Sequence, residues 1–261
     1  MKNQTNWKNV WEQKANARVS DFELDRGRRS ADEEVEYLSA LHLVNFINPN
    51  ESETLLDAGC GTGVNILRLH SRVRKIVGID YAQGSLDRCK KTIHAQSVTN
   101  AQICAASITA LPLPNSCVNK VVCLSVLQYL DDDEVRQALK EFARVLRPGG
   151  TLILHVKNLS SIYWSTLRLA KKIKLLLGGT TRIENFRSFA WYTSELASLN
   201  CRVSGYDSFN LLLLDGMPTK LVTSIRRFEL KHHANRLSQL PIVRRHGAEL
   251  IIKATVQGTC D

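Results

Sequence analysis

Three glycines in five residues stand between a short apolar run and an amphipathic one, and this arrangement constrains the chain more than any other feature. Thr54-Leu55-Leu56-Asp57-Ala58 reads as a strand, Gly59-Cys60-Gly61-Thr62-Gly63 as a sharp turn, and the stretch carrying Ile66, Leu67 and Leu69 as a helix. Glycine permits the turn and leaves bare backbone for a ligand to lie against. The helix that follows offers unpaired N–H groups to an anionic part of that ligand. A second apolar strand, Lys75 to Asp80, also ends in a carboxylate, about 20 residues beyond the turn.

The same alternation continues. A helix is expected from about Ser85 to Gln96, a weak third strand at Ala101–Ala105 and a fourth strand at Val118–Val126. A helix from Asp132 to Leu146, stopped by Pro148-Gly149-Gly150, leads to a fifth strand at Thr151–Val156. A further helix begins near Tyr192 with Thr193 as its cap. Strand six reads at Cys201–Phe209 and strand seven at Ala248–Val256. Strands alternating with helices mean an α/β fold with a parallel sheet covered on both faces. The whole of 1–261 is expected to be one domain. Residues 1–47 form an N-terminal helical cap, with Trp7 and Trp11 on one helix face and a second helix from Asp32 to Ile47. Residues 158–191 and 210–247 are lid-like insertions.

Two reaction classes use a glycine turn at this place, nicotinamide-dependent hydride transfer and methyl transfer. The dinucleotide fingerprint needs a small residue at the end of G-x-G-x-x-G; here that position is Val64, and the pattern is D-x-G-x-G-x-G. LLDAGCGTG, VGID, LPLPNSCVNKVVC and RVLRPGGTLIL, in this order, resemble the motifs of class I S-adenosylmethionine-dependent methyltransferases. The resemblance covers 51–160 densely, and the ends of the chain resemble small-molecule, lipid and glycan methyltransferases. It implies a Rossmann-like seven-stranded sheet of order 3-2-1-4-5-7-6 with strand seven antiparallel, helices on both faces and a helical lid. It implies S-adenosyl-L-methionine as the cofactor, with Gly59, Cys60, Gly61 and Gly63 against its methionine and ribose, and Asp57 toward its amino group. Asp80 would accept from the ribose diol and Tyr81 would pack beside the adenine. Ser107 stands where the family often has an Asp that meets the adenine amino group, so Ser107 or the backbone at Ile108 takes that contact. Leu124, at the end of strand four, completes the cofactor set.

The acceptor is expected to be a hydroxyl, which needs a base, or a carboxylate, which does not; His155, near the C-terminal end of strand five, is the sharpest base candidate, and its alternative reading is a core histidine. Gln128 and Tyr129 follow strand four, where Tyr129 either orients an acceptor or packs. His232, His233 and His246 have no metal-ligand companions, and no metal is expected. The chain carries a net charge of +10, and residues 161–261 hold 15 Lys and Arg against 7 Asp and Glu. A basic lid containing Lys171, Lys172, Arg226 and Arg227 is therefore expected over the acceptor side. It suits an anionic small-molecule, glycan or lipid-linked acceptor, with peripheral contact to an anionic membrane as a further reading. Neither an RNA-methylation motif after strand four nor an appended nucleic-acid module is recognisable, which argues against nucleic acid as a partner; an RNA acceptor and a non-catalytic protein on the same scaffold are the alternatives. Seven cysteines without CxxC spacing, and an N-terminus without a secretory signal, fit a cytoplasmic protein. The sequence does not speak to oligomeric state.

Overall fold

Seven strands form one sheet of order β3-β2-β1-β4-β5-β7-β6. The fold is that of a computed structural model describing residues 6–15, 33–161, 185–209 and 247–257. Within the insertions it also describes 164–165, 168–169, 172–173, 176–177, 221, 223–225 and 227–228. Much of the expected lid, including Lys171, Arg226, His232, His233 and His246, lies outside the described residues, as do 16–32 of the expected N-terminal cap.

In chain order the elements are α1 (Trp7–Ala15), α2 (Glu33–Ile47), β1 (Thr54–Ala58), α3 (Val64–Leu69), β2 (Lys75–Asp80), α4 (Gln83–Ala95) and β3 (Ala101–Ala105). Then follow β4 (Val118–Leu124), α5 (Asp132–Val145), β5 (Leu146–Lys157), α6 (Phe189–Ser198), β6 (Cys201–Phe209) and β7 (Glu249–Val256). β3, β2, β1, β4 and β5 run parallel, while β7 pairs antiparallel with both β5 and β6. This is the Rossmann-like methyltransferase order expected from the motifs.

Because successive strand residues face opposite ways, each central strand feeds two cores. Leu56, Val121 and Leu154 pack with Leu139 and Phe142 of α5 and Leu196 of α6. Their neighbours Leu55, Val122 and Ile153 pack with Val44 and Ile47 of α2, Ile66 of α3 and Leu86 of α4. Such double burial is why these strands read as continuous apolar runs. α5 starts on a capping box: Asp131 Oδ1 accepts from the Glu134 N–H at 2.9 Å, and Glu134 Oε2 accepts from the Asp131 N–H at 2.8 Å.

Several boundaries differ from expectation, and four of them have a local cause. β4 ends at Leu124, because Ser125 takes φ +60° and turns the chain out of the strand. α5 ends at Val145, because Leu146 already pairs with Val118, with an irregularity in register before Thr151. α6 begins at Phe189, capped by Ser188, whose hydroxyl accepts from the Trp191 N–H at 3.1 Å. Thr193 is therefore not the cap; its hydroxyl donates to the Ala190 carbonyl inside the helix at 2.9 Å. α4 begins at Gln83, before the expected Ser85, for a reason found at the site below.

Candidate functional site

The glycine turn lies at the C-terminal ends of β1 and β2. Gly59, Gly61 and Gly63 have φ of 83°, 53° and 86°, a region that side chains rarely tolerate. The N–H groups of Gly59 and Cys60 donate to the Ile79 carbonyl at 2.7 and 3.0 Å, tying the turn to the end of β2. A Cβ on Gly59 would stand 2.4 Å from Val126 Cγ2, and one on Gly63 2.5 Å from Cys89 Sγ. The turn is thus left-handed and sterically closed behind, while its peptide groups border the sheet edge. Cys60 is buried against Cys89; that contact, burial and the nearby Asp57 charge hold its thiol well above the usual range, so it lines the turn as an inert group.

Asp80, at the end of β2, accepts from the Gly61 N–H through Oδ2 at 3.0 Å and from the Ala82 N–H through Oδ1 at 2.8 Å. A carboxylate has about four acceptor sites, so these bonds leave Asp80 capacity for a ligand. Burial raises its pKa above the ordinary 3.8, while the Ala82, Gly61 and Tyr81 N–H groups pull the other way. Asp57 is buried at the end of β1, close enough for its charge to act on Cys60 and Cys123. Tyr81 is half-buried beside Asp80, and burial pushes its phenol up. Ser107 is exposed, with its hydroxyl 2.7 Å from Thr109 Oγ1, whereas the Ile108 side chain is in the core and leaves only backbone for a ligand.

The N-terminal helix roofs this edge. Glu12 of α1 accepts from the Gln83 N–H at 2.7 Å and the Gly84 N–H at 3.1 Å. It thereby satisfies orphan donors in the first turn of α4 from outside the helix, which accounts for the early start of α4. On the same helix Trp7 and Trp11 enclose Tyr129, with ring centroids 4.5 and 5.3 Å away. α1 therefore bridges the loop after β2 and the loop after β4. Spacing alone predicted the shared face of the two tryptophans; nothing local marked Glu12, whose partners are 71 and 72 residues away.

A second cluster of polar side chains converges from three strands. Ser125 Oγ lies 2.8 Å from His155 Nδ1, and His155 Nε2 lies 3.5 Å from Glu249 Oε2. Ser125 is held in its left-handed conformation from both sides: its N–H donates to the His155 carbonyl at 2.9 Å, and its carbonyl accepts from Gln128 Nε2 at 2.7 Å. Ser125 adjoins Val126, the side chain packed against Gly59, so the array borders the glycine turn. Leu124 pairs in register with His155 beside it. The loop that follows is clamped by the buried Arg187, whose guanidinium donates to the Leu127 and Leu130 carbonyls at 3.1 and 2.8 Å and to Asp132 at 2.8 Å. Sequence reasoning singled out His155 but not the Ser125, Glu249 and Arg187 found around it. Among the described residues no group of three His, Cys, Asp or Glu could hold a metal ion.

Residues 55–150 match a family model described as a methyltransferase domain. A carboxy-S-adenosyl-L-methionine synthase of Vibrio cholerae is 29% identical over 147 residues, covering 54% of this chain and 58% of that protein. The chain spans about half the length of the curated relatives it matches. Among solved structures, geranyl diphosphate C-methyltransferase from Streptomyces coelicolor aligns at a TM-score of 0.61 with 13% identity, covering 97% of this chain and 98% of that one. Phosphoethanolamine N-methyltransferase 1 of Haemonchus contortus aligns at 0.65 with 14% identity, covering 98% and 49%. These structures share the fold. The family match lies over the glycine turn and Asp80, and together with this sheet order it supports a class I S-adenosylmethionine-dependent methyltransferase.

Proposed function

We propose that the protein transfers a methyl group from S-adenosylmethionine to a hydroxyl of a small-molecule, glycan or lipid-linked acceptor of anionic character. The observation that carries this reading is the adjacency of two sites at one sheet edge. One is the left-handed turn with Asp80, and the other is the Ser125–His155–Glu249 array.

The residues fit the cofactor. Asp80, a carboxylate at the end of β2, suits the donors of a ribose diol, and the bare backbone of Gly59–Gly63 admits the methionine portion. Asp57 supplies negative charge for an ammonium, and Tyr81 an aromatic face beside the adenine. Bound S-adenosylmethionine supplies an electrophilic methyl carbon. Holding an acceptor in line with it is worth roughly 7–11 kcal/mol.

Ser125 and His155 handle the acceptor's proton. Glu249 faces Nε2, which favours the tautomer with hydrogen there and leaves Nδ1 free to accept from the Ser125 hydroxyl. As the acceptor oxygen forms its bond to carbon and the carbon–sulfur bond breaks, Ser125 takes the acceptor proton and passes its own to His155. The Glu249 carboxylate then stabilises the imidazolium, and the proton leaves to water. Such base assistance contributes typically ~10²–10⁴-fold. Tyr129, held between Trp7 and Trp11, walls the site and orients the acceptor beneath α1. Six described cysteines are all free thiols, which supports a reducing, cytoplasmic setting.

The test is transfer of radiolabelled methyl groups from S-adenosylmethionine into separated lipid, glycan, small-molecule and RNA fractions. Label in an anionic non-nucleic fraction is expected. Label confined to RNA overturns the acceptor class. A modified cofactor with no labelled acceptor points instead to the chemistry named for the Vibrio relative. A protein that does not bind S-adenosylmethionine is a scaffold only.

A further inference from the structure

The exposed apolar side chains are concentrated rather than scattered. Among the described residues, the large exposed hydrophobics are Tyr37 and Leu41 on α2, Leu169, Ile173, Leu176 and Leu177 in the first insertion, and Leu221 and Phe228 in the second. None belongs to the strands or to α3–α6. Leu176 and Leu177 are 85% and 82% exposed, far beyond what an isolated surface leucine needs explained.

The first group has a geometry. The described residues from Trp164 to Leu176 are helical, and the Ser165 N–H to Ser161 and Leu177 N–H to Ile173 bonds have helical spacing. Leu169, Ile173 and Leu176 stand at i, i+4 and i+7, on one face, with the exposed Lys172 beside them. Trp164 is nine residues before Ile173, which at 3.6 residues per turn is the opposite side. There its indole donates to the Ala248 carbonyl at 2.6 Å, and its ring lies 4.9 Å from that of Phe186. One side of the segment is thus fastened to the body beside the start of β7, and the other presents leucines to solvent.

Charge decides what that face meets. Between 158 and 183 the chain has Arg168, Lys171, Lys172, Lys174 and Arg182 and not one Asp or Glu. A leucine face interleaved with cations matches a bilayer interface, where apolar side chains reach the acyl boundary and lysines reach anionic headgroups. We propose that the outward face formed by Leu169, Lys172, Ile173, Leu176 and Leu177 docks the protein peripherally on an anionic lipid bilayer. No helix among the described residues is long and apolar enough to cross a membrane, so the contact is interfacial. This inference stands apart from methyl transfer, and its test needs neither cofactor nor acceptor.

The test is co-sedimentation of the full chain with vesicles of phosphatidylcholine alone or of phosphatidylcholine with phosphatidylglycerol. Binding to the anionic vesicles is expected to exceed binding to the neutral ones at least ~10-fold and to weaken as salt rises from ~0.1 M to ~1 M. The double variant Leu176→Glu, Leu177→Glu should lose at least ~10-fold in binding while keeping its circular dichroism, because both side chains lie in solvent. Lys90→Glu, an exposed charge reversal on α4, should bind as the parent does and so separates this face from net charge. A parent chain indifferent to anionic vesicles, or a double variant that still binds them, overturns the proposal. So does a concentration-dependent dimer abolished by the same two substitutions in a chain that ignores vesicles.

Discussion

The two halves of the sheet edge are built from different materials. On the β1–β2 side the groups are backbone and one carboxylate within short loops: Gly59 to Gly63, and Asp80 receiving the Gly61 and Ala82 N–H groups. On the β4–β5–β7 side they are side chains brought from far apart: Ser125 to His155 across 30 residues, Glu249 from β7, and Arg187 fixing the loop after β4. The first half fits an invariant ligand and is readable as a motif. The second is built from tertiary contacts, which is where a fold of this kind is free to vary its acceptor.

If the halves are separable, substitutions should sort between them. The largest effect belongs to the acceptor half: His155→Gln or Ser125→Ala should lower turnover by ~10²–10⁴-fold while S-adenosylhomocysteine affinity stays as in the parent. Equal loss of affinity and turnover would show one coupled site. Next comes Gly59→Ala, which combines a left-handed alanine with a 2.4 Å approach to Val126. The cost is about 2–5 kcal/mol, read as a lowered denaturation midpoint, and it also disturbs Ser125 through its neighbour. An unshifted midpoint would mean that the turn relaxes freely.

Asp80→Ala should weaken cofactor binding by about 1.5–3 kcal/mol in a titration and leave acceptor KM alone. The same carboxylate sets a pH dependence. Only its ionised form accepts both diol hydrogens, and burial has raised its pKa. Cofactor affinity should therefore be full at neutral pH and fall as pH drops, with a midpoint in the free protein above the ordinary 3.8. A flat profile through that range would remove Asp80 from the contact. The smallest effect is Glu12→Gln, about 0.5–1 kcal/mol from a weakened helix-terminal interaction. It should appear as faster S-adenosylhomocysteine release in stopped-flow tryptophan fluorescence, since Trp7 and Trp11 ride on the same helix. An unchanged release rate would leave α1 as a fixed wall.

The alternating strands and the D-x-G-x-G-x-G turn were legible because glycine at positive φ and strands buried on both faces leave local marks in a sequence, whereas the sheet order came only from the resemblance of the motifs. The position of His155 was legible from its strand, but its partners were not. Ser125 carries no glycine to announce its left-handed backbone, and Glu249 is 94 residues beyond His155. Glu12 was hidden for the same reason, as its only signature is the donors it meets on α4. The helix start at Ser188 was misread because Thr193 has equal capping chemistry, and only the packing of Tyr192 and Leu196 into the core selects the earlier frame. The basic lid was read from charge alone, and Lys172 and Arg227 are the two of its four named cations that lie among the described residues.

In the proposed reading, one sheet edge holds the methyl donor between the glycine turn and Ser125. A crystal structure with S-adenosylhomocysteine is the decisive measurement. Ribose hydroxyls on Asp80, the amino-acid portion against Gly59–Gly63 and the sulfur directed toward Ser125 and His155 are expected. A nucleoside seated away from Asp80, or a sulfur facing away from Ser125, would overturn the assignment of this edge as the methyl-donor site.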